Sequence, residues 1–223
     1  MADTLFADVS EWQVPLDESY PYPWLSIRSN DGTYRDKNWT QNWDTARRML
    51  DNGRLLGLIV YAVIRPNWQD SLAVHLDMQG ADRPDVVTMG DVESWGGEIT
   101  GDNSHAFNSF VWGASDWRGG AGDERPRRTI GYLNPNDANI WPTRPPIGWV
   151  VPSYGAYPNF PPGCEDLALN MLAHQYTDGG GWGGGLPEGA DPFGNCDMNA
   201  ANGYTPEELR AAMGIESSGP CGT

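Results

Sequence analysis

Residues 55–92, LLGLIVYAVIRPNWQDSLAVHLDMQGADRPDVVTMGDV, decide the fold class. A ten-residue apolar run (55–64) is followed by Trp68, Leu72 and Leu76 at helical spacing, a stop at Gly80, and a second apolar run (86–92). Runs this short read as buried strands, and the segment between them as a helix, so the unit is strand, helix, parallel strand. The same alternation extends both ways. Further runs at residues 5–9, 24–27, 129–133, 147–151 and 172–176 make seven candidate strands, with an eighth expected but not located. Trp39, Trp43, Ala46 and Leu50 predict a helix ending at Gly53, and Phe107, Val111, Ala114 and Trp117 another, with Ser104 as its candidate N-cap. Thr205-Pro206-Glu207-Glu208 places an N-cap, an N1 proline and a capping-box glutamate ahead of Leu209, Ala212 and Met213. Between residues 142 and 162 seven prolines leave little room for long helices, so the later connections read as loops and the barrel as lopsided. The expected fold class is α/β, a single modified TIM-like barrel over residues 1–215, with residues 216–223 as a loose tail.

Composition narrows the partners. The chain has 223 residues, and 14 basic against 30 acidic residues leave a net charge of −16, a field that repels nucleic acid and anionic membrane surfaces. Ten consecutive apolar residues are too few to span a bilayer. The N-terminus, MADTLFADVSEW, has neither the basic nor the apolar region of a secretory signal. Cys164, Cys196 and Cys221 form no CxxC pair and His75, His105 and His174 no HxxxH pair, so no metal site is expected. An odd cysteine count without an export signal fits free thiols in a reducing compartment, with a Cys164–Cys196 bridge as the alternative.

Polar residues gather where the apolar runs end, at Asp8, Asp31, Tyr61, Asp91, Glu93, Tyr154, Gln175 and Tyr176. In a β/α barrel those strand ends form the face that carries active sites. The sharpest element is Met89-Gly90-Asp91-Val92-Glu93, which puts two carboxylates on one side of a strand about 6.5–7 Å apart at the backbone. Held together in a barrel mouth they repel, which raises at least one pKa toward the range of a general acid. Glycosidic cleavage uses such a pair, one carboxyl to protonate the leaving oxygen and a second group to meet the oxocarbenium-like centre. Eleven Trp and nine Tyr supply flat amphipathic rings suited to sugar faces. Trp39, Trp43, Trp68 and Trp117 sit at helix-core spacing and read as packing residues. Trp95, Trp149 and Trp182, beside strand ends or within the loop GGGWGGG (179–185), are the binding candidates.

Phe6-Ala7-Asp8-Val9-Ser10-Glu11-Trp12-Gln13 resembles the first-strand DVSxWQ signature of glycoside hydrolase family 25, the muramidases of many phage endolysins. Six further segments follow in the family's order: Ser26-Ile27-Arg28 leading to residues 31–36, Gly57-Leu58-Ile59-Val60-Tyr61, Asp91-Val92-Glu93, Trp149-Val150-Val151-Pro152-Ser153-Tyr154-Gly155, Gln175-Tyr176-Thr177 and Asp197-Met198-Asn199. Together they span about residues 5–203. The resemblance implies five β/α units plus three further strands, and cleavage of the β-1,4 bond between N-acetylmuramic acid and N-acetylglucosamine in bacterial peptidoglycan glycan strands. It implies Glu93 as general acid, Asp91 as its carboxylate partner, and Asp8 and Asp197 lining the site. Tyr61, Tyr154, Gln175, Tyr176, Trp149 and Trp95 are the implied substrate-binding residues. It also implies retention of configuration, with the substrate's N-acetyl group as nucleophile and either Asp91 or Asp197 orienting it. No metal or organic cofactor is implied. Two departures stand out: Ala62 where the family often has His, and His174 where it often has Trp. The setting expected is a phage lysin, in the host cytoplasm with release to the wall or in the virion tail. The alternative is a virion component, a minor tail or tail-tip protein contacting other tail proteins and using the fold for wall binding or local digestion.

Overall fold

The computed structural model describes residues 3–201 and 203–216. Its strands are β1 (Thr4–Val9), β2 (Trp24–Asp31), β3 (Tyr34–Arg35), β4 (Gly57–Val63), β5 (Val86–Val92), β6 (Thr129–Leu133), β7 (Gly148–Pro152), β8 (Met171–Thr177), β9 (Gly189–Ala190), β10 (Gly194–Asn195) and β11 (Asp197–Ala201). Its helices are α1 (Trp39–Asp51), α2 (Trp68–Gln79), α3 (Ser104–Trp117), α4 (Glu165–Leu169) and α5 (Pro206–Ala212), with short 3-10 turns at Trp95–Gly97 and Pro135–Ile140. Strands run β1-β11-β8-β7-β6-β5-β4-β2 around the sheet, and pairing of β1 with β2 closes it into a barrel of eight, with β3 as an extra edge strand on β2. All neighbours in the barrel are parallel except β11, which runs antiparallel to both β8 and β1. This is the modified TIM-like barrel expected. Five strands lead into helical connections, but only α1, α2 and α3 are long; β6 leads to a 3-10 turn and β7 to the five-residue α4, as the prolines require.

Each expected run is a strand, and the eighth is β11. Its sequence, DMNAA, carries no β-branched or aromatic residue, so nothing local marks it. Two helix expectations need correction. The N-cap of α3 is Asn103, and Ser104 lies inside the helix, its backbone N–H donating to Asp102 Oδ1 at 2.9 Å. On α2 the buried residues are Ser71, His75 and Gln79, not the stripe through Trp68, Leu72 and Leu76. That face meets polar groups of the sheet: His75 Nδ1 lies 2.8 Å from Ser29 Oγ, His75 Nε2 lies 3.0 Å from Thr88 Oγ1, and Asn30 Nδ2 donates to the Ser71 carbonyl at 3.0 Å. With these bonds made, burial of polar groups carries no orphan penalty, while Trp68 and Leu72 turn aside to pack near α3. The capping box on α5 forms as expected, Thr205 Oγ1 accepting from Glu208 N and Glu208 Oε2 accepting from Thr205 N.

Inside the barrel, alternate residues of each strand face one another. Phe6, Trp24, Ile59, Val87, Ile130 and Val150 fill the lower layers, and α5 with its C-cap plugs the bottom through Leu209 and Met213. Further up the strands the inward residues become polar: Asp8, Arg28, Tyr61, Asp91, Tyr132 and Gln175. Outside, one apolar layer joins the sheet to α1 and another joins it to α3. Cys164 and Cys196 are both buried free thiols, so the bridge between them does not form, and Cys221 and the expected tail beyond Glu216 lie outside the described residues. No helix among the described residues is long and apolar enough to cross a membrane.

Candidate active site

The polar layer opens at the C-terminal ends of the parallel strands as a cleft of about 200 Å3, lined by residues that include Asp8, Arg28, Tyr61, Asp91, Glu93, Trp95, Tyr132, Gln175 and Asp197. Backbone register explains the convergence. Asp8 and Asp197 are direct partners across the antiparallel β1–β11 pair, and Asp91 pairs with Tyr132 across β5–β6. Glu93 follows Asp91 by two residues, just past the end of β5. A larger cavity of about 450 Å3 lies at the opposite end of the barrel, around Arg128 and Met213, and holds none of these carboxylates.

Crowded carboxylates in a dry mouth resist ionisation. Burial and the facing Asp197 push Asp8 up to about 8, against the Ser26 and Tyr61 hydroxyls and the Arg28 guanidinium, which favour the anion. Burial, Asp178 and Glu93 raise Asp197 to about 6. Burial, then Glu93, Asp8 and Asp31, hold Asp91 well above the usual carboxylate range, and its Oδ1 has no hydrogen-bond donor among the described residues. Burial and Asp137 raise Glu93, with Arg65 opposing. Arg28 is the buried counter-charge, its Nε donating to Asp36 Oδ2 at 2.9 Å. Near neutral pH the cleft therefore holds both protonated and ionised carboxyls, the combination a general acid and its partner require.

These shifts set a pH dependence of stability. Asp8 has a higher pKa folded than its ordinary 3.8, so the folded protein holds a proton that the unfolded chain gives up. Its stabilising contribution is full below 3.8 and is lost as pH rises toward about 8. We expect Asp8→Asn to raise the melting temperature by about 5 °C at pH 8 and to leave it little changed at pH 4, read by calorimetry at the two pH values. Equal shifts at both would contradict the assignment.

Asp8, Asp91, Glu93, Asp197, Tyr61, Gln175 and Trp95 all reach the cleft. Tyr154 stands at its rim, where its hydroxyl donates to Gln175 Oε1 at 3.1 Å. Two expected binding residues do not reach it. Trp149 is fully buried outside the barrel wall, its ring centroid 5.4 Å from that of Phe107, because its neighbour Val150 takes the inward position. Tyr176 likewise alternates with Gln175, faces outward, and donates its hydroxyl to the Pro187 carbonyl at 2.7 Å. Trp182 is half exposed beside Gly155, His174 and Tyr157 in a separate hollow. His174 is structural, its Nε2 lying 2.6 Å from the Ser153 carbonyl oxygen. Tyr132, Arg28, Trp12 and Gln13 also line the cleft and were not among the expected site residues. Period-two alternation along Thr129–Leu133 and Trp24–Asp31 is the signal that points Tyr132 and Arg28 inward.

No family model matches the chain. The uncharacterized protein Rv3766 of Mycobacterium tuberculosis is 46% identical over 224 residues, covering 98% of this chain and 77% of that protein. Among solved structures, a family 25 glycosyl hydrolase from Bacillus anthracis matches with a TM-score of 0.71 at 14% identity, over 94% of this chain and 93% of its own. The catalytic domain of endolysin ply40, from bacteriophage P40 of Listeria monocytogenes, matches with a TM-score of 0.59 at 18% identity, over 95% of this chain and 98% of its own. At such identities these two likenesses speak to the fold.

Proposed function

This chain belongs to one protein family with the mycobacterial Rv3766 and is built on the family 25 glycosyl hydrolase fold, and from that premise we propose that it is a peptidoglycan muramidase. The bond cut is the β-1,4 linkage between N-acetylmuramic acid and N-acetylglucosamine. The observation that carries the reading is the four-carboxylate cleft, with Asp91 on β5, Glu93 just past its end, and Asp8 and Asp197 paired beside them. Glu93, just past the end of β5, is the general acid: it gives its proton to the glycosidic oxygen as the C1–O bond breaks. The acetamido oxygen of the muramic sugar closes on C1 from the other face, oriented by Asp91 or Asp197. Water then adds at C1 as the bond from C1 to the acetamido oxygen breaks, which regenerates the N-acetyl group, and the water gives its proton to the Glu93 carboxylate, which restores the acid. Tyr61, at the cleft floor, hydrogen-bonds at the reacting sugar.

The setting proposed is that of a lysin acting on the bacterial wall, released from a host cytoplasm or carried in a virion tail. A net charge of −16 gives the protein no general attraction to an anionic wall, so recognition falls to the cleft. The test is digestion of purified peptidoglycan with identification of the new reducing ends. Ends in N-acetylmuramic acid are expected; ends in N-acetylglucosamine, or binding without release, would overturn the reading.

A further inference from the structure

The wall of the cleft beside Glu93 is built in an unusual way. Trp95 is a non-glycine residue held in the left-handed region, at φ 49, and is followed by Gly96 and Gly97, also at positive φ. A tryptophan held there is strained, and such strain persists only where surrounding contacts enforce it. The enforcing contact is a cation. The guanidinium carbon of Arg65 lies 4.4 Å from the Trp95 ring centroid, within cation–π range. Arg65 is itself fixed by a two-pronged pair with Asp31, Nε to Oδ1 at 2.5 Å and Nη2 to Oδ2 at 2.8 Å. Gly32 makes room for it: a Cβ there would come within 2.9 Å of Arg65 Cγ. Trp95 lines the cleft, and its indole N–H is shielded from solvent and has no partner among the described residues. A shielded, unused donor in a binding cleft calls for an acceptor brought by a ligand.

We infer that Asp31 and Arg65 are positioning residues that hold the Trp95 indole as a wall of the sugar subsite next to Glu93, with its N–H free to donate to a sugar oxygen. The inference rests on the muramidase reading for its substrate, and on the geometry alone for the positioning. Neither Asp31 nor Arg65 touches the reacting atoms. The groups facing Glu93 are Asp91, Asp31, Asp137 and Asp197, whose negative charge is adverse to its anion, Arg65, which favours it, and the neutral hydroxyls of Tyr132 and Tyr154. Removing the cation therefore makes Glu93 keep its proton to higher pH.

The experiment compares wild type, Arg65→Met and Arg65→Lys on purified peptidoglycan. For Arg65→Met we expect KM to rise about tenfold and the alkaline limb of the kcat/KM profile to move to higher pH. Lysine restores the charge but not the planar stack or the paired hydrogen bonds, so the limb returns while KM stays raised. Unchanged KM with an unmoved limb, or a fall in kcat alone, overturns the inference. Should the wild type cleave nothing, the muramidase reading falls, and positioning is read instead from the Trp95 indole N–H resonance, assigned with Trp95→Phe. Displacement of that resonance in Arg65→Met supports the inference and an unmoved resonance overturns it. If Arg65→Met does not fold, Asp31→Asn, which frees the guanidinium but keeps the cation, is read by KM and by the indole resonance: a raised KM with a displaced resonance supports the inference and no change in either overturns it, while the alkaline limb moves to lower pH because an adverse charge is gone.

Discussion

Glu93→Gln is expected to lower the rate of glycan cleavage by about a thousandfold while the protein stays folded and still binds the wall. Glutamine keeps the shape and the hydrogen-bonding reach of the acid but has no proton to give to the leaving oxygen. The change also relieves crowding: burial and the neighbouring Glu93 hold Asp91 protonated, so without the Glu93 charge Asp91 ionises at lower pH. Thermal stability should therefore hold or rise in the variant while turnover collapses, and release of reducing ends beside a melting curve reads both. Activity within a few-fold of wild type would remove Glu93 from the role of acid and pass it to Asp91, two residues before it in the same cleft.

Trp149→Ala is expected to carry the largest stability cost, about 3–5 kcal/mol, with the bond specificity of any remaining folded enzyme unchanged. The ring lies between the barrel wall and α3, against Phe107, and Gly131 is glycine because a Cβ there would meet the ring at 2.3 Å. Truncation leaves a cavity bounded by sheet and helix, neither of which can collapse far into it. Denaturant unfolding of the variant measures the loss, and digestion at a temperature where it is still folded measures the site. A large rise in KM with little loss of stability would return Trp149 to the binding surface.

The two residues show what the sequence could carry. Asp91 and Glu93 were legible because strand periodicity and carboxylate chemistry lie in five consecutive residues. Trp149 was misplaced because proximity to a strand end does not say which face of the strand it occupies; its neighbour Val150, in the small inner layer, decides that. Tyr132 was overlooked for the same reason, since only alternation counted from Ile130 turns its ring into the cleft. The α2 helix shows a different limit. Trp68, Leu72 and Leu76 form a plausible apolar stripe, but partners 13 to 46 residues away, Thr88 and Ser29, rotate His75 inward instead. Closure by β11 is likewise a tertiary fact, since DMNAA becomes a strand through the vacant edges of β8 and β1.

That closing strand also governs when the protein comes into being. Until residue 201 has left the ribosome, β1 and β8 are open edges, and unpaired edges invite pairing with other chains. β1 must wait for β11 to seal its free edge, and the fourth carboxylate, Asp197, arrives with that strand. A chain stopped short of β11 thus lacks both a sealed wall and the fourth carboxylate, so closure of the barrel and completion of the cleft come in a single step.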